Sequence, residues 1–87
     1  MNGSVNKGNN TECWTALLDS LSEKLQLNLL DKLRKVTSYH FEDGKLFIIP
    51  SSFAEYEYFL KDHVAKQLNL LAQDACKVKK VEILKPD

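Results

Sequence analysis

Residues 36–41 (VTSYHF) and 45–49 (KLFII) are rich in β-branched and aromatic side chains, and Glu42-Asp43-Gly44 stands between them. Gly44 accepts a positive φ at no steric cost, so the two runs are expected to pair as a tight antiparallel hairpin. That hairpin constrains the rest of the chain. Side chains alternate along a strand, so Leu46 and Ile48 point one way while Phe47 and Ile49 point the other. A strand apolar on both faces demands either helices on both sides of the sheet or an apolar patch left for a partner.

The flanking segments switch to helical spacing. Trp14, Leu17, Leu18, Leu21 and Leu25 form one stripe over residues 12–25, with Thr11 a suitable N-cap. A second, shorter helix is expected after Asn28, with Leu29, Leu30 and Leu33 as its apolar face. Beyond the hairpin, Ser52-Phe53-Ala54-Glu55 matches a capping box. Phe53, Tyr56, Leu60, Val64, Leu68 and Leu71 then predict one long helix ending near Asp74. Residues 77–84 alternate, with Val81 and Ile83 opposite Lys80 and Glu82, and predict a third strand. The expected fold is α+β: a compact, KH-like α-α-β-β-α-β domain whose three-stranded sheet packs with helices.

With 87 residues the chain has room for one domain. Residues 1–11 (MNGSVNKGNNT) are dominated by Asn and Gly and are expected to form a disordered polar arm, leaving 12–85 as a single interaction domain. Twelve basic residues balance twelve acidic ones, so no long-range field draws the chain to phosphate backbones or anionic membranes. Direct nucleic-acid binding is therefore expected to be weak. No apolar run approaches the ~20 residues that span a bilayer, and no charged segment precedes an apolar one as in a secretory signal. Cys13 and Cys76 lie far apart without CxxC spacing, which fits free thiols in a cytoplasmic protein.

Candidates for chemistry are few. No GxSxG, HExxH or Gly-rich phosphate loop occurs, so the chain is read as non-enzymatic, with no catalytic residues and no cofactor. Cys13, Cys76, His40 and His63 are too few and too scattered for a metal site. His63 beside Asp62, and His40 within the first strand, are read as ordinary surface or half-buried histidines, since neither has a sequence neighbour to set its tautomer. Lys77, Lys79 and Lys80 suit the solvated edge of a strand better than a phosphate site, although a KH-like single-strand binder is the alternative from another class. Two features point to protein contacts. Trp14, the only tryptophan, is either a core anchor or, with Leu17 beside it, an interface anchor. Phe47, Ile49 and Phe53 mark an apolar patch where the second strand turns into the next helix.

The runs CWTALLDSL, LLDKLRKV, DGKLFIIPSSF and VEIL, in that order, resemble the N-terminal domain of the bacterial replication initiator DnaA. The likeness spans residues 13–84. It implies a docking platform for initiator self-association and for recruiting the replicative helicase and replication regulators. By position Trp14 is similar to the family's helix-one aromatic used in self-association, and Phe53 to the aromatic implicated in helicase contact. Leu30 and Leu33 stand where that family commonly has an aromatic pair, and Leu29 where it has an acidic contact residue. The C-terminal domain of the DNA polymerase III tau subunit is similar too, in its Trp start, Leu-rich second helix and hairpin. That likeness implies docking to polymerase subunits or helicase.

Overall fold

The structure, a computed structural model, describes residues 7–86. Asp43 and Gly44 take φ of 53° and 75°, so the hairpin closes through two left-handed residues, the conformation whose twist matches that of paired strands. Strand β1 (Ser38–Glu42) and strand β2 (Lys45–Ile49) pair antiparallel around it, with Glu42 opposite Lys45 and Tyr39 opposite Ile48. Strand β3 (Lys80–Ile83) lies parallel to β2 on its other side, giving the order β1-β2-β3. Among the described residues four helices complete this α+β domain: α1 (Thr11–Glu23), α2 (Leu27–Arg34), α3 (Phe53–Leu60) and α4 (Asp62–Cys76). Parallel pairing of β2 with β3 requires a crossover, which α3 and α4 supply.

Packing resolves which face of the sheet is the core. Leu46 and Ile48 are fully buried against Leu17, Leu21, Leu33 and Leu68 from the helices. Phe47 and Ile49, on the other face, are half-buried and take no part in that cluster. Tyr39 from β1 and Val81 from β3 join the core side, as alternation requires. Among the described residues, then, the helical layer lies on one face of the sheet.

The single long helix expected from residue 53 onward is two helices. Lys61, with φ −62° and ψ 138°, is extended, ending α3 and starting α4. Burial explains the break. At about 100° per residue, Phe59 and Leu68 would point to opposite sides of one straight helix. Both are fully buried, so the backbone must reset between them. The stripe assumed from the sequence ran through Phe53 and Leu60 instead, and those residues are 52% and 49% exposed. Capping at the start of α3 is as expected in part. Ser52 Oγ accepts from Glu55 N at 3.3 Å, while the Glu55 carboxylate accepts from Ser51 Oγ at 2.9 Å.

Other boundaries move for local reasons. Asn10, not Thr11, caps α1, its side chain accepting from Cys13 N at 3.1 Å. That helix ends at Glu23, and Leu25 takes a φ of 58° and is 76% exposed rather than extending the apolar stripe. Helix α2 starts at Leu27, so Asn28 lies inside it instead of capping it. Lys77 closes α4 in the left-handed conformation, its N–H donating to Gln73 O, so β3 begins only at Lys80.

The polar arm is expected to be disordered through Thr11. Residues 1–6 lie outside the described residues, and residues 7–10 run along the free edge of β1. Lys7 N donates to Thr37 O, and Tyr39 N donates to Lys7 O at 2.8 Å. Asn9 then replaces backbone with side chain: its Oδ1 accepts from Phe41 N at 2.8 Å and its Nδ2 donates to Phe41 O at 2.7 Å. Between them Gly8 sits so close to the Tyr39 ring that a Cβ there would collide with it.

Candidate functional site

Strand register arranges the outer face of the sheet in rows. Glu42, Lys45 and Lys80 stand side by side in the first row, His40, Phe47 and Glu82 in the second, and Ser38 beside Ile49 in the third. Polar side chains tie the first two rows together. Lys80 Nζ lies 3.2 Å from Glu82 Oε2, and His40 Nε2 lies 3.0 Å from Glu42 Oε1. The His40 ring also sits 6.4 Å, centroid to centroid, from Phe47.

The third row is apolar. Because β2 and β3 run parallel, their C-terminal ends finish side by side. Leu84 N donates to Ile48 O at 2.8 Å, so Leu84 continues the ladder and by alternation follows Glu82 onto the outer side next to Ile49. The chain leaving β2 passes the buried Pro50 and enters α3 at this same end. Phe53, six residues before the buried Phe59, is about 120° away from it around the helix and so turns from the core. Its ring lies 5.5 Å from that of Tyr56 and 5.9 Å from the Lys85 ammonium, close enough for a cation–π contact. Ile49 and Leu84, with Phe47 one row in, thus form an apolar end to the outer face, and Phe53 with the Lys85 cation stands where the chain leaves that same end.

The sequence-derived interaction residues divide accordingly. Phe47, Ile49 and Phe53 gather at this end. Trp14 and Leu17 do not: they are 3% and 0% exposed, on the opposite side of the sheet. Trp14 stacks on Tyr39 with centroids 4.3 Å apart and planes 5° from parallel. A large aromatic in the first turn of α1 is covered because Tyr39 of β1 stacks on it while the rest of the α1 stripe packs against α2 and α4. As folded, neither residue offers a partner any surface, and both are core anchors.

Sequence reasoning missed Leu84, whose signal was the alternation that already placed Glu82 outward. It also missed the His40–Glu42 pair, which the two-residue strand spacing puts on one face. A second concavity was not foreseen: Leu25, Leu27, Tyr58, His63 and Gln67 line a groove of about 430 Å³ between the α1–α2 turn and α4. Lys32 and Lys61 lie 5.6 and 5.9 Å from the Tyr58 ring, and burial pushes the Tyr58 hydroxyl above its ordinary pKa.

Other candidates stay dispersed. Lys80 is paired with Glu82, the Lys77 backbone closes α4 and the Lys79 stem passes beside Gly44, with all three side chains exposed. Among the described residues no three of His, Cys, Asp and Glu come together as metal ligands would, and no helix is long and apolar enough to cross a membrane. Cys13 and Cys76 are both free, yet they meet: Cys76 Sγ donates to Cys13 O at 3.0 Å. No family model, curated protein or solved structure matches this chain.

Proposed function

We propose that this chain is a non-enzymatic docking domain of the bacterial DNA replication machinery, acting in the cytoplasm, with Phe53, Ile49, Leu84 and Phe47 as its contact surface. One observation carries the docking part: a half-exposed aromatic and two strand-end aliphatics are left out of the core at one end of a sheet whose other face already holds it. Large side chains kept from the core at one spot cost stability and are the residues that dominate protein–protein binding energy. The fitting partner is a protein segment that inserts an apolar side chain at Phe53 and brings an acidic residue to Lys85.

The replication setting rests on the resemblance to the DnaA N-terminal domain and to the tau C-terminal domain. In both, the implied partners are proteins: a second initiator, the replicative helicase, a regulator or a polymerase subunit. Burial of Trp14 moves the proposed surface from α1 to the sheet end, where Phe53 holds the position that the resemblance links to helicase contact. The test is binding of the purified chain to replicative helicase, to polymerase III α subunit and to itself, by surface resonance and sedimentation. Phe53→Ala should weaken the productive contact at least ~10-fold, the ~1.4 kcal/mol or more expected of a central aromatic, while the domain stays folded at the assay temperature. Absence of binding to all of them, or binding indifferent to both Phe53→Ala and Phe47→Ala, would refute the proposal.

A further inference from the structure

We propose that Cys13 and Cys76 are a redox-modifiable pair that closes into an intramolecular disulfide, joining the first turn of α1 to the last turn of α4. The two residues are 63 positions apart, and nothing in their sequence spacing announces the contact. The fold makes it. Cys13 enters early in α1 because Asn10 caps that helix, and Cys76 is the last residue of α4 before the left-handed Lys77 turns the chain away. Cys76 Sγ donates to Cys13 O at 3.0 Å, so the buried sulfur already touches the backbone of the other cysteine. Closing the bond requires the half-buried Cys13 side chain to turn its sulfur onto a Cys76 sulfur that already contacts the Cys13 backbone.

Exposure sets the order of events. Cys13 is half-buried and Cys76 is buried, so an oxidant meets Cys13 first. With a small disulfide such as oxidised glutathione, the Cys13 thiolate attacks one sulfur, the glutathione S–S bond breaks and one glutathione thiol leaves. Cys76 then attacks the Cys13 sulfur of the mixed disulfide, the Cys13–Cys76 bond forms and the second glutathione leaves. Two protein thiols lose two electrons in all, the oxidised glutathione gains them, and the two protein protons end on the departing thiols. In the reduced chain burial, with the neighbouring Cys13, pushes the Cys76 thiol up to about 12, so Cys13 and not Cys76 makes the first attack.

The reduced chain with residues 1–87 should be incubated with oxidised glutathione, alkylated and mapped by mass spectrometry without reduction. The expected result is loss of two hydrogens, a linked peptide pair containing Cys13 and Cys76, and a melting temperature raised by at least ~5 °C that dithiothreitol reverses. Cys13→Ser, at the more exposed position, should keep the reduced melting temperature and lose the oxidative rise; Cys76→Ala should lose it too. Glutathione left on Cys13 with Cys76 still alkylatable, cross-linked dimers as the only product, or a linked pair without any rise in melting temperature would each overturn the proposal.

Discussion

Trp14→Ala and Phe53→Ala remove aromatic side chains that the structure treats oppositely. Trp14 is 3% exposed and stacked on Tyr39, so its removal costs the transfer energy and leaves a cavity, about 3–5 kcal/mol for a buried Trp. Phe53 is 52% exposed and stands outside the core. Half of a Phe burial is worth about 1 kcal/mol. A domain of this length has roughly 4–12 kcal/mol in total, so Trp14→Ala consumes a large share of it. Urea unfolding in reducing buffer, followed by far-ultraviolet circular dichroism because the variant lacks the only tryptophan, measures both. With a slope near ~1 kcal/mol per M, the midpoint should fall by roughly 3–5 M for Trp14→Ala and by no more than about 1 M for Phe53→Ala. Wild-type fluorescence should accordingly be blue-shifted and shielded from acrylamide. If Trp14→Ala lost under about 1 kcal/mol, or Phe53→Ala lost as much as Trp14→Ala, the division into core and contact residues would be wrong.

Three further perturbations test separate parts of the fold. Gly8→Ala forces a methyl group against a Tyr39 ring that Trp14 holds in place, so it should cost about 1–3 kcal/mol or detach residues 7–9, seen as faster hydrogen exchange at the Tyr39 amide. Lys77→Gly relieves a φ of 61° at the end of α4 and should raise stability by up to about 1 kcal/mol in thermal or urea unfolding. The Cys76 thiol has an ordinary pKa of 9.0 and is pushed up to about 12 in the fold. Between those values the unfolded chain has lost the proton that the native chain keeps, so stability should fall with rising pH by at most about 1.4 kcal/mol per unit. Cys76→Ala should flatten that decline, and an unchanged alkaline slope in the variant would show that other groups set it.

What the sequence made legible was governed by neighbours in the chain. The Asp43-Gly44 reversal, the two strands it joins and the Ser52 cap all follow from chemistry within a few residues, and all are present. Leu46 and Ile48 against Phe47 and Ile49 were separable by alternation, though which pair faced the core was not. What escaped was set by distant contacts. Nothing near Lys61 marks a helix break; the demand comes from burying Phe59 and Leu68 in one core. Trp14 was ambiguous because its cover, Tyr39, lies across the fold. Asn9 looked like part of a featureless arm because its partners are in β1, 32 residues on.

That asparagine has a practical consequence. By offering one side-chain amide to both polar groups of Phe41, it satisfies the outward rim of β1 at the spot where a foreign strand would otherwise start to add. Trimming the molecule back to the start of α1 would therefore do more than remove polar residues. It would leave the Tyr39 and Phe41 amides as a template, and shortened chains should join edge to edge at concentrations where the 87-residue chain does not.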